Sequence, residues 1–150
     1  MPFYRKLNLP DFELRLQQKG EKSLIWDVAR KKYVVLTPEE WVRQHFLHFL
    51  IDHNHYPVNL ISMEKGLQYN RLQKRYDLLV YTPSLKPFLL VECKSYKVNL
   101  SENTLSQVSV YNKSLSAAYM IISNGLHHYC FDLTGAKPVP VQNIPAYPRD

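Results

Sequence analysis

Only four glycines and two cysteines occur among 150 residues, and the cysteines, Cys93 and Cys130, lie far apart without CxxC spacing. That scarcity excludes both a disulfide framework and a zinc knuckle, and so few glycines do little to loosen a core. No apolar run approaches the roughly 20 residues that cross a bilayer, and the start Met1–Lys6 leads into no hydrophobic signal core. A soluble, cytoplasmic chain with no membrane partner is expected. The sequence has no GxxxxGK[ST] phosphate loop, no HExxH and no internal repeat, so neither a nucleotide-driven motor nor a zincin is indicated.

What is present reads as one domain long enough to bury a core. Phe12, Leu14 and Leu16 alternate, Gln17–Glu21 reads as a turn, and Leu24–Val28 and Tyr33–Leu36 read as short strands. Residues 1–36 are therefore expected to form a small β appendage packed on the remainder. Thr37-Pro38-Glu39-Glu40 is a strong helix start, with Thr37 as N-cap, Pro38 at the first helical position and Glu40 closing a capping box. The helix should run to about Asp52, with Val42, Phe46, Phe49 and Leu50 on its apolar face, and end at Asn54-His55-Tyr56-Pro57. Strands are expected near Asn59–Glu64, Arg75–Tyr81 and Phe88–Lys94. A helix from about Glu102 to Leu115 and strands at Ala118–Ser123 and His127–Leu133 follow. Pro138, Pro140, Pro145 and Pro148 predict an extended proline-rich tail over 136–150 rather than a further element.

The chemistry concentrates in two of these strands. Asp77 lies in the first, and Val91-Glu92-Cys93-Lys94 ends the second. A strand has a side-chain period of two, so Glu92 and Lys94 share a face and Cys93 takes the other. The Thr82–Pro87 connection is short enough to make the two strands antiparallel neighbours, which brings two carboxylates and an ammonium together. Such a trio suits metal-dependent phosphodiester hydrolysis, the acids holding Mg²⁺ or Mn²⁺ and the lysine orienting the attacking water. The competing reading is an incidental surface pair worth little. Charge placement favours a polyanionic partner: between Glu64 and Lys97 seven bases (Lys65, Arg71, Lys74, Arg75, Lys86, Lys94, Lys97) face three acids (Glu64, Asp77, Glu92). Lys74 and Arg75 are expected to contact DNA. His45 and His48 stand three apart on the first helix, but no companion acid or cysteine follows at zinc-site spacing.

The D…ExK arrangement resembles the PD-(D/E)xK nuclease superfamily, with Tyr76 where that name has proline. The element order of helix, three-stranded antiparallel meander, helix and strand matches a restriction-endonuclease-like α/β core, here over 37–135. Gln107 and Tyr111, four apart on the second helix, look like the QxxxY element of some of these nucleases, which implies a role in lining the site and holding the substrate strand. In many members a glutamate of the first helix reaches the metal; the same pattern here places Gln44 in that slot, with Glu40 one turn earlier as a substitute ligand whose alternative is the capping box.

From Thr37 to about Asp132 the sequence resembles one family in particular, the N-terminal nuclease domain of type I restriction enzyme R subunits in a compact stand-alone form. Thr37–Gln44, Arg75-Tyr76-Asp77, Val91–Lys94, Gln107–Tyr111 and Ser123-Asn124-Gly125 carry the likeness. It implies a Mg²⁺-dependent DNA endonuclease-like domain without the motor, acting with DNA and with other restriction-system chains, and compatible with a homo-oligomer. The expected metal ligands are Asp77, Glu92 and the main-chain carbonyl of Cys93, with Glu40 as the additional one. Lys94, Gln107 and Tyr111 complete the catalytic set. The alternative is a catalytically silent DNA-binding or assembly module on the same fold, for which Gln44 speaks. Loss of Asp77 or Glu92 is expected not to lower stability, since neighbouring carboxylates without a metal repel each other.

Overall fold

The computed structural model describes residues 4–63, 66–69, 72–101 and 116–149. Gln107, Tyr111 and the helix expected over 102–115 lie outside the described residues.

Three strands open the chain: β1 (Leu16–Lys19), β2 (Lys22–Asp27) and β3 (Lys32–Val35), an antiparallel sheet in the order β1-β2-β3. The turn expected over Gln17–Glu21 contracts to Gly20-Glu21, because Gly20 adopts φ +61 and lets Lys19 pair directly with Lys22. On β2 the alternation buries Ser23, Ile25 and Asp27 on one face.

Helix α1 (Pro38–His48) starts as its sequence dictates, with the Glu40 amide donating to Thr37 Oγ1 at 3.0 Å and Pro38 in the first turn. The other half of the capping box is absent, because the Glu40 carboxylate turns to Arg30, Arg43 and Gln44 instead. The helix continues as a π-helical turn over Phe49–His53 and stops at Asn54, whose amide and side chain both donate to the Phe49 carbonyl. Val42, Phe46, Leu47 and Leu50 are buried in the core. Arg43, Gln44 and His45 are buried as well, so the helix is covered on more than its apolar stripe. Phe12 stacks on His48 at 4.0 Å and meets His45 edge-on, while Tyr4 stacks on Trp41. The N-terminal segment thus covers the side that amphipathicity alone would leave to water.

The main sheet consists of β4 (Ile61–Met63), β7 (Leu78–Tyr81), β8 (Pro87–Cys93), β9 (Tyr119–Ser123), β10 (His128–Asp132) and β11 (Val139–Val141). The spatial order is β11-β10-β9-β8-β7-β4, parallel between β8 and β9 and antiparallel elsewhere. Two features differ from the sequence expectation. A separate hairpin of β5 (Gly66–Tyr69) and β6 (Leu72–Arg75) interrupts the meander, so Arg75 ends β6 and Asp77 stands at a bend before β7. The run breaks there because the Cys93 N–H is taken by the Asp77 side chain, at 2.7 Å, rather than by a strand carbonyl. Second, the proline-rich end contributes β11, with Pro140 opposite Phe131. Proline is tolerated because β11 is an edge strand and its missing donor costs no ladder bond on the open side. Tyr56 Oη then donates to the Pro145 carbonyl and Tyr147 Oη to that of Tyr81.

Both faces of the central strands are apolar. Leu78, Val80, Leu89, Val91, Cys93 and Ile121 pack with α1, whereas Leu79, Leu90, Met120 and Ile122 form a second cluster with Tyr76, Ala117 and Leu133. One close approach locks the N-terminal segment onto this core. Gly125 has φ +84, its carbonyl accepts from Asn8, and an added Cβ would lie 2.8 Å from Leu7 Cδ2 and 3.1 Å from Val42 Cγ2. Gly125→Ala is therefore expected to cost about 1–3 kcal/mol. An unchanged melting temperature would contradict this packing.

Candidate functional site

The site grows from the end of the β7–β8 pair. The last ladder pair there is Leu78 opposite Val91; Asp77 stands at the bend just before β7, and Glu92 follows Val91 in β8. Cys93 enters the α1-side core, so Glu92, one residue earlier, takes the face shared with Leu90. Lys94 follows directly; its amide donates to the Ser123 carbonyl at 2.8 Å and its Nζ lies 3.3 Å from Glu92 Oε1. Glu92 and Lys94 therefore meet at the end of β8, and Asp77 reaches the same segment through the Cys93 N–H. The Ser123-Asn124-Gly125 turn holds the segment beyond them, with Asn124 Nδ2 donating to the Val98 carbonyl while its Oδ1 accepts from the Leu126 and His127 amides.

Asp77 is gripped from two sides. Its Oδ2 accepts the Cys93 N–H at 2.7 Å, so the middle residue of the ExK triplet orients the aspartate. Its Oδ1 accepts Arg43 Nη2 at 2.7 Å and Arg43 Nε at 3.2 Å. The same guanidinium donates through Nη1 to Glu40 Oε1 and through Nη2 to Glu39 at 3.3 Å. Burial works against the charge on Arg43, but Asp77 and Glu40 beside it outweigh that and raise its pKa, so it is a permanent cation. Burial pushes the Cys93 thiol well up, leaving it a neutral core group whose contribution to the site is its backbone.

Behind Arg43 the network continues inward. Glu40 Oε2 accepts from Arg30 Nη2 and from Gln44 Nε2, both at 2.9 Å. Asp27, fully buried, accepts Arg30 Nε at 2.6 Å and Gln44 Nε2 at 2.8 Å on Oδ2, and the Ala29 and Arg30 amides on Oδ1. Gln44 thus spends its amide nitrogen on two carboxylates, and its Oε1 is buried without a partner.

Asp27, Arg30 and Arg43 were not legible as site residues. The only signals for them were an arginine three residues after Glu40 on the helix and an acid closing the strand run Leu24–Trp26. Among the described residues no three His, Cys, Asp or Glu side chains are grouped to hold a metal. His45 Nδ1 sits on the Trp41 carbonyl and His48 beside Asp52, and burial lowers the pKa of both rings. Among the described residues, no helix is long and apolar enough to cross a membrane.

The class defined by this architecture is a mixed α/β protein with, among the described residues, one principal helix and a polar site at the end of a central strand pair. Residues 38–148 match the family model described as the type I restriction enzyme R protein N terminus (HSDR_N), and the chain belongs to that family. Among solved structures, a fragment assigned to the HsdR subunit of a type I restriction enzyme from Vibrio vulnificus YJ016 is similar at 19% identity and a TM-score of 0.48. The likeness covers 64% of this chain and 21% of that one. This chain therefore spans about a fifth of the length of that relative. No curated protein matches the sequence.

Proposed function

We propose that this domain hydrolyses DNA phosphodiester bonds with Mg²⁺ or Mn²⁺, on a restriction-endonuclease-like core built from α1, β4, β7, β8 and β9. One observation supports the reading: Asp77 accepts the N–H of Cys93, the middle residue of the Glu92-Cys93-Lys94 triplet, and Lys94 lies 3.3 Å from Glu92. The donor set fits a hard divalent cation, being carboxylate and carbonyl oxygen. Asp77 Oδ1 is filled by Arg43, but Oδ2 takes a single N–H and retains a lone pair. Asp77, Glu92 and the Cys93 carbonyl would hold the ion, which supplies Lewis-acid stabilisation of charge on the phosphoryl group. Glu40, committed to Arg30, Arg43 and Gln44, is better explained as a support for the site than as a ligand. Lys94, whose head reaches solvent, orients the attacking water and is steadied by Glu92. Gln107 and Tyr111 would hold the substrate strand. Family membership supports DNA and other restriction-system chains as partners. The direct test is cleavage of duplex and single-stranded DNA by the purified protein with Mg²⁺ or Mn²⁺. No product with either ion, together with no ion binding by calorimetry, would sink the proposal.

A second reading, a catalytically silent DNA-binding or assembly module, draws on the guanidinium that already neutralises Asp77 and on Gln44 in the helix slot where related nucleases carry glutamate. Hydrolysis and silent DNA binding both require affinity for DNA. Affinity should fall steeply from low to physiological salt as counterions released by the basic stretch lose their driving force, and charge reversal at Lys74 or Arg75 should weaken it further. Binding that is flat with salt, or absent at low salt, would remove both.

A further inference from the structure

The family match begins at residue 38, yet two charged residues of the preceding meander, Asp27 and Arg30, join the network that ends on Asp77. Asp27 is wholly buried and held by four donors, which makes it the fixed point of the chain of contacts. Arg30 and Gln44 each bridge Asp27 to Glu40, and Glu40 in turn fixes Arg43. A guanidinium is a rigid planar fork, so pinning its Nη1 on Glu40 sets the direction in which Nε and Nη2 meet Asp77. The far oxygen of Asp77 is tied to the Cys93 N–H, between Glu92 and Lys94.

We propose that Arg43 is the positioning residue for Asp77 and that its aim is set from outside the family-matched region, by Asp27 and Arg30 of the N-terminal meander acting through Glu40. The meander is then part of the site's support. In the hydrolytic reading, on which the catalytic consequence rests, misaiming Asp77 slows the chemical step without touching DNA affinity.

Arg43 is deeply buried and its removal risks the fold, so Arg30→Gln, at a side chain 14% exposed, is the primary variant, with Arg43→Lys as the second. The Cys93 backbone amide reports the Asp77 carboxylate directly, and its ¹H–¹⁵N resonance is readable without any activity. In a folded Arg30→Gln protein that resonance should shift, kcat for Mg²⁺-dependent cleavage should fall roughly 10- to 100-fold, and KM for DNA should stay unchanged. Arg43→Lys keeps the charge but cannot span Glu40 and Asp77 together, so it should move the same amide. An unmoved Cys93 amide in folded Arg30→Gln would overturn the meander's role even if Arg43→Lys moves it, and an unmoved amide in both would overturn the positioning role of Arg43 as well. Absence of cleavage by the wild-type protein would remove the hydrolytic reading alone, since the amide shift still decides whether the meander positions Asp77.

Discussion

Asp77→Asn, Glu92→Ala and Lys94→Ala should, if the domain hydrolyses DNA as proposed, each lower Mg²⁺-dependent cleavage by about a hundredfold or more while DNA binding persists, because each would remove an electrostatic element acting on the reacting phosphate. Single-turnover cleavage and a binding titration on the same preparations check this. The stabilities should separate. Glu92 pairs with Lys94, whose side chain is 35% exposed, so Glu92→Ala should change stability by no more than about 1 kcal/mol. Asp77→Ala is different, since it leaves the buried Arg43 without its principal counterion and should cost about 3–5 kcal/mol. This reverses the sequence expectation that neither loss lowers stability, and the reason is the guanidinium, which makes Asp77 a paired carboxylate rather than a repelled one. Asp77→Asn keeps an oxygen for Arg43 or the Cys93 amide and so separates lost chemistry from lost folding. Retention of full activity by any of the three would contradict the assignment of that residue.

Glu40→Gln should be the most destabilising isosteric change in the helix. A capping-box glutamate gives up about 1 kcal/mol or less when neutralised, whereas here the carboxylate accepts from Arg30, Arg43 and Gln44 in a buried setting. Leaving two arginines facing a neutral amide should cost about 3–5 kcal/mol, a difference that denaturant titration resolves easily. Cleavage should fall as well, through Arg43. A loss of stability near 1 kcal/mol would restore the capping role and dismantle the network as a support for Asp77.

These two results bear on what could be read without coordinates. The helix start at Thr37-Pro38-Glu39-Glu40 and the antiparallel pairing of β7 with β8 were legible because both are local: one is a run of capping chemistry, the other two apolar runs across a short connection. Glu40 was legible as a capping residue, but its carboxylate goes where the strongest donors are, and those come from Arg30 and Arg43. Arg30 lies ten residues away and Arg43 meets Asp77 across 34 residues, separations at which sequence pattern is silent. The β5–β6 hairpin had no expected strand over residues 65–74, and Arg75 was joined to the next strand because Arg75-Tyr76-Asp77-Leu78 reads as one run; the break at Asp77 depends on a side-chain bond to Cys93. Prolines spoke against β11, and the edge position that permits Pro140 is a property of the assembled sheet.

That edge has a consequence for self-association. The six-stranded sheet ends on one side in β4, three residues long, and on the other in β11, three residues long and carrying Pro140. Both borders are blunt templates: too short to recruit a foreign strand in register, and at Pro140 missing a donor that such a strand would need. Copies of this protein should therefore resist joining by strand addition at either border of this sheet.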